Sequence, residues 1–162
     1  MSAKLKLNPD VAYVMGIFAY NKGDAIGLVT KSDDVVAKFV KIVIKEFGID
    51  TTRILITEEE GEQRAYFYNS KLKKLLQRAL GRKEVTFKYK NAYSAGYFAG
   101  IFDVNGGKDM KGFFIKDMEK SDAFMLDKLG WITRKRGFKT YILSQKGGER
   151  FVDFIKEQSE MI

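Results

Sequence analysis

The 162-residue sequence predicts an α+β fold of two similar lobes, each ordered helix-strand-helix-strand-strand-helix (αβαββα) and related by a pseudo-twofold axis. Three observations carry this prediction. The pattern Tyr-x-x-Gly-Ile-Phe-x-x-Asn-x-Gly occurs twice, from Tyr13 to Gly23 and from Tyr97 to Gly107, 84 residues apart. Each copy is followed by an apolar run and the same tripeptide, Lys31-Ser32-Asp33 and Lys120-Ser121-Asp122. After each tripeptide come an amphipathic segment, a hairpin pattern and a last amphipathic helix. Two repeats of this length are too few and too long for a solenoid, which leaves a pair of lobes. The halves have drifted: the motif glycine lies 15 residues before the tripeptide in one and 20 in the other.

Asn8-Pro9-Asp10 opens the first helix, with Asn8 as N-cap, Pro9 at the first helical position and an acid in the first turn. That helix runs through the motif to about Asn21, where Asn21-Lys22-Gly23 stops it. Residues 25–30 form one strand. Ser32 or Asp33 caps the next helix, whose Val35, Val36, Phe39, Val40, Val43 and Phe47 share one face. Residues 53–57 and 63–68 alternate as strands around the turn Glu59-Glu60-Gly61. Ser70 caps a helix carrying Leu72, Leu75, Leu76 and Ala79, and the alternation of Val85, Phe87 and Tyr89 predicts an extended linker. The second half repeats the order. Its motif helix runs from about Asn91 to Asn105, followed by a strand at 112–116 and a helix at 121–129. A hairpin of 132–136 and 138–144 turns near Gly137, and the last helix spans 148–158. No Pro- or Ser-rich segment divides the chain. It reads as one pseudo-symmetric domain, with lobe 1 at about 8–80, a linker at about 81–90 and lobe 2 at about 91–162.

Composition excludes several chemistries. At 45% apolar and 14% aromatic the chain is globular. Its apolar stretches are interrupted before membrane-spanning length, and the N-terminal residues lack the apolar core of a signal peptide. A cytoplasmic protein with no membrane partner is expected. Without Cys there are no disulfides or thiolate sites, and without His the commonest general base and metal ligand is missing. Any metal would need oxygen ligands. The net charge of +8 is spread over both halves and points to a polyanionic partner, although many basic proteins bind none. Abundant Lys and Glu without Cys or His also fit a thermophile, archaeal-like composition.

Ala12 and Gly16, and again Gly96 and Gly100, put small residues four apart on each motif helix. Two such helices can pack backbone to backbone along these faces, forming the lobe interface and bringing Asn21 and Asn105 side by side. Here the chain resembles a family. Residues 14–22 (Val-Met-Gly-Ile-Phe-Ala-Tyr-Asn-Lys) and 98–106 (Phe-Ala-Gly-Ile-Phe-Asp-Val-Asn-Gly) are similar to two degenerate copies of the LAGLIDADG motif of homing endonucleases and intron maturases. The downstream order fits single-chain members, so the resemblance covers nearly the whole length.

The resemblance implies a pseudo-dimer whose sheets lie in a DNA groove, with a metal-binding carboxylate at the penultimate position of each motif. Both matching positions are amides, Asn21 and Asn105. An amide brings no charge to an ion and no basicity to water, so no catalytic residue is assigned and the chain is expected to be nuclease-dead. Lys22 stands where the motif has glycine, and Asp103 has only Ala19 as its counterpart, so no replacement pair of acids exists. The long groove-reading hairpin that follows the motif in relatives has little room here. About three strands per sheet are expected, with Lys108-Asp109-Met110-Lys111 too short for a fourth.

Arg53, Arg64, Lys88, Lys90, Arg134, Lys135, Arg136 and Lys139 are the candidate nucleic-acid contacts, on predicted strands or the linker. The same residues also fit a solvated sheet face. Glu58-Glu59-Glu60 would repel DNA, so that hairpin tip is expected to point away. The expected partner is nucleic acid, duplex DNA ahead of structured RNA, bound by a monomer with an internal pseudo-dimer. No cofactor is expected, and Mg2+ only if the chain cuts. Two other readings stay open: a working or recently inactivated homing endonuclease, and a protein-interaction module, which an exposed apolar sheet face would favour.

Overall fold

In a computed structural model of the chain, residues 5–21, 23–143 and 149–162 are described. Lys22, and the 144–148 stretch holding the expected end of the second hairpin and start of the last helix, lie outside the described residues. Helix α1 (Pro9–Ala19) starts at Asn8, whose Oδ1 accepts from the Val11 amide at 2.8 Å. Every residue from Val11 to Phe18 is buried. An all-round apolar helix belongs at the centre of a fold. Strand β1 (Ile26–Thr30) follows, then α2 (Asp33–Phe47), capped by Ser32 and closed by Gly48 at φ 65°.

A short 3-10 turn at Thr51–Arg53 leads into the hairpin of β2 (Leu55–Glu59) and β3 (Glu62–Phe67). Arg53 therefore precedes the strand rather than sitting on it. Helix α3 (Ser70–Leu80) is capped by Asn69 and not by Ser70: Asn69 holds the extended backbone a cap needs, and its side chain accepts from Leu72 at 2.9 Å. The expected extended linker is a helical turn, α4 (Lys83–Thr86). Its apparent alternation arises because Phe87 anchors in the core, stacked on Tyr97 at 4.7 Å, between the exposed Val85 and Tyr89.

Helix α5 (Ala92–Asn105) begins with a reciprocal cap. Asn91 Oδ1 accepts from Ser94 N at 3.1 Å, and Ser94 Oγ accepts from Asn91 N at 3.1 Å. Strand β4 (Gly106–Asp109) starts at once and pairs with β5 (Gly112–Lys116) across a tight turn. The expectation that this stretch is too short for a strand is overturned. No residue is used for a loop between helix and strand, and glycine at 107 lets the Phe114 ring lie across it, where a Cβ would sit 2.6 Å from the ring. Then come α6 (Lys120–Lys128), β6 (Ile132–Arg136), β7 (Lys139–Leu143) and α7 (Phe151–Ile155).

The two sheets are antiparallel, in the orders β1-β3-β2 and β4-β5-β7-β6, so lobe 2 has four strands where three were expected. One hydrophobic cluster runs through both lobes, from Phe39 and Phe67 across α1 and α5 to Trp131 and Phe151. At the seam the helices touch backbone to backbone. A Cβ on Gly16 would lie 2.1 Å from the Tyr97 carbonyl oxygen, one on Gly100 2.1 Å from that of Tyr13, and one on Gly96 2.5 Å from that of Pro9. Ala12 is fully buried on α1. Among the described residues, no helix is long and apolar enough to cross a membrane.

Candidate nucleic-acid interface

The close seam brings the C-terminal ends of α1 and α5 together. Asn21 and Asn105 line one cleft of about 110 Å³ with Ile17, Tyr20, Val29 and Val104. Each amide donates inward: Asn21 Nδ2 to the Ala25 carbonyl at 2.9 Å, and Asn105 Nδ2 to the Lys116 carbonyl at 3.0 Å. A carboxylate cannot make either bond and would set two acceptors against each other. Among the described residues, no group of three or more acids could hold a metal. Asp24 is exposed and lies 3.5 Å from Lys73. The donor set does not fit the divalent ions of a two-metal cut.

Asp103 is turned away from the cleft into the helix seam. It accepts from the Tyr13 hydroxyl at 2.5 Å, the Glu160 amide at 2.8 Å and the Ser159 hydroxyl. Burial raises its pKa, opposed by those hydrogen bonds and by Lys38. Burial next to this carboxyl also pushes the Tyr13 hydroxyl pKa up. A second buried carboxyl, Asp122, ties α1 to lobe 2. It accepts from Tyr20 at 2.6 Å, Tyr97 at 2.7 Å and Lys83 of α4 at 2.9 Å. Sequence reasoning missed Asp122, because Lys-Ser-Asp reads as a cap in both lobes. In lobe 1 Ser32 does cap, whereas in lobe 2 the tripeptide lies inside α6 and its acid is buried.

Strand alternation and register sort the sheet residues by face. In lobe 2, Ile115, Thr140 and Ile142 are buried against the helices, and Lys135 pairs with Thr140 on that side. The open face carries Phe114, Lys116, Arg134, Arg136, Lys139 and Tyr141, together with Asp109. Asp109 accepts from Tyr141 at 2.6 Å and Lys139 at 3.0 Å, which hold its carboxyl pKa down to about 2. Lys116, Arg134 and Arg136 are exposed and have no ion-pair partner among the described residues. Lys116 was not among the expected contacts, although its position two residues after Phe114 on a strand puts it on the same face.

In lobe 1 the open face carries Val29, Leu55, Thr57, Glu59, Glu62, Arg64 and Tyr66, with Arg64 lying 4.2 Å over the Tyr66 ring. Val29 is 47% and Leu55 45% exposed, so this face is part apolar and part acidic. Of the expected contacts, Arg134, Arg136 and Lys139 come together, Arg64 stands on the other sheet, and Lys135 points to the helix side. Lys88 and Lys90 sit at the N-terminal end of α5, about 20 Å along the helix from Asn105. Lys90 there pairs with Glu149.

Solved structures share this architecture. A structure of mesophilic variants of the homing endonuclease I-DmoI matches with a TM-score of 0.69 at 16% identity, covering 92% of this chain and 96% of that one. I-DmoI in complex with DNA and Mn matches at 0.63 and 16% identity, covering 91% and 93%. I-DmoI in complex with DNA and Ca matches at 0.62 and 17%, covering 91% and 86%. No protein-family model and no curated protein matches the sequence. The likeness shows the fold: two lobes joined through paired motif helices, as in the LAGLIDADG homing endonuclease fold.

Proposed function

We propose that this chain binds nucleic acid, duplex DNA in the first place, through phosphate contacts on the open face of the four-stranded sheet, and that it does not cut. The carrying observation is the set of cations Lys116, Arg134 and Arg136 on that face, unpaired among the described residues, beside a motif cleft that holds two amides. Guanidinium forks and an ammonium neutralise phosphates and release condensed counterions, whatever the base sequence. That I-DmoI is solved with DNA supports the choice of duplex. Cutting needs charge to hold ions and organise water, and the two amides that line the motif cleft bring none.

Binding is tested by titrating the parent and an Arg134→Ala/Arg136→Ala/Lys139→Ala variant on one duplex at several salt concentrations. The variant is expected to bind all sequences more weakly, with a log–log salt slope shallower by roughly 0.9 for each phosphate that it no longer neutralises. Equal affinity and slope would remove the second hairpin from the interface. A parent that binds neither duplex nor RNA at low salt would favour a protein-interaction module, for which the exposed Val29 and Leu55 supply the surface. Cleavage is tested separately with Mg2+. Chelator-sensitive nicking absent from a mock preparation would overturn the non-cutting half. Asn21→Asp/Asn105→Asp shows whether carboxylates alone restore it.

A further inference from the structure

The two open sheet faces differ in charge. On the sheet β4-β5-β7-β6, Lys116, Arg134, Arg136 and Lys139 stand against a single acid, Asp109. On β1-β3-β2, Arg64 stands against Glu59 and Glu62, and Glu58 and Glu60 extend the acidic tip of the hairpin. A concavity of about 440 Å³ there is lined by Glu59, Glu60 and Glu62, with Arg64 its one cation among the described residues. That cation is stacked on Tyr66. Sheet 1 also lacks the strand that β4 adds to sheet 2. The strands β1-β3-β2 and β5-β7-β6 share one order, and their open faces are opposite in net charge.

We infer that a duplex docks on lobe 2 alone and that the sheet of lobe 1 stands off from the phosphate backbone; this rests on the nucleic-acid reading above. A duplex carries a negative charge every 1.7 Å or so along its axis, so any path across the lobe 1 face brings phosphates to more acid than base. Val29, Leu55 and Thr57 give a phosphate no cation. On lobe 2 the side chains alternate correctly for a phosphate track, with Arg134 and Arg136 two apart on the outermost strand and Lys116 across β7 from Arg136. Lys139 is already neutralised by Asp109, which leaves Lys116, Arg134 and Arg136 to meet phosphates. The expected salt slope is about −3. Four strands span about 14 Å, so the footprint is roughly half a helical turn with side-chain reach added. A duplex engaged by both sheets would need about twice that length.

The test measures affinity for hairpin-closed duplexes of about 8 and about 16 base pairs, the lengths that the footprints of one and of two such sheets require. It uses the parent, Lys116→Ala/Arg134→Ala/Arg136→Ala, Arg64→Ala and Glu59→Gln/Glu62→Gln, with a thermal melt to show that each is folded. The parent should bind both lengths equally once overlapping sites are counted. Arg64→Ala should leave affinity and slope unchanged, and the lobe 2 triple variant should lose about tenfold or more, with its slope near zero. Glu59→Gln/Glu62→Gln should gain affinity for the long duplex only, because only a duplex of that length can extend to lobe 1 once the acids that hold it off are gone. A parent that requires the long duplex, or an Arg64→Ala loss as large as that of the triple variant, overturns one-lobed docking while leaving DNA binding intact. A parent that binds neither length overturns the nucleic-acid reading and this inference with it.

Discussion

Asp103 sits between α1 and α5 and gathers Tyr13, Ser159 and the Glu160 amide, so one carboxyl holds the C-terminal segment to the helix seam. Its pKa is raised in the folded state, which means the fold binds its proton more tightly than the unfolded chain does. The stability it contributes is therefore fully present below the ordinary carboxylate range and is lost as pH rises through the raised value. Asp103→Asn removes that dependence, because a neutral amide still accepts from Tyr13 while the Ser159 hydroxyl turns to accept. Thermal melts from acid to neutral pH should show the variant gaining on the parent as pH rises. A constant difference at all pH values would show that Asp103 titrates alike in both states. At this scale the sequence reading singles out Asn21 and Asn105 by repetition alone, and they meet in one cleft. Asp103 and Asp122 escape it, since nothing in a linear pattern tells a buried acid from a solvated one.

Among the elements, the seam helices carry the strictest requirement. Gly16 and Gly100 are exchanged across it, each facing the backbone of the other motif's tyrosine, so the constraint is reciprocal. Gly100→Leu should cost on the order of 1–3 kcal/mol or more, because the Tyr13 carbonyl it meets is main chain and cannot rotate away. Urea titration of Gly16→Leu and Gly100→Leu checks this, and an unchanged midpoint in both would remove the packing argument. Helices α1 and α2 were legible through their caps Asn8 and Ser32, and α2 and α3 through their 3.6-residue apolar spacing, whereas the sequence pattern puts the α3 cap one residue late and reads α4 as extended. The β2-β3 hairpin was legible through alternation around Glu60-Gly61, which both take positive φ. Strand β4 was not legible: Gly-Gly-Lys-Asp has no apolar alternation, and its conformation comes from pairing with β5. Face assignment was likewise out of reach at the ends of strands. Lys135 and Arg136 differ by one residue, and only the register with β7 sends one to the helices and the other to the open face.

For the whole molecule, the two lobes share one core rather than standing as two cores side by side. Helix α5 is buried at every position from Ser94 to Asp103, and α1 at every position from Val11 to Phe18. Neither has a polar face to offer solvent if its partner leaves. The cross-lobe bonds from Tyr13 to Asp103 and from Tyr20 to Asp122 would break in the same event, leaving each carboxyl one donor short. Unfolding should accordingly be a single cooperative transition, with circular dichroism and the fluorescence of Trp131, which lies in lobe 2, reporting the same midpoint. Fragments 5–80 and 81–162 expressed apart should each fail to give a sharp melt, since each exposes an apolar helix larger than a soluble surface tolerates. Mixed during refolding, they should recover one transition and elute together. If the lobe 2 fragment alone melts cooperatively, then α5 finds a cover inside its own lobe, and the shared core is an accessory to the fold of lobe 2 rather than its condition.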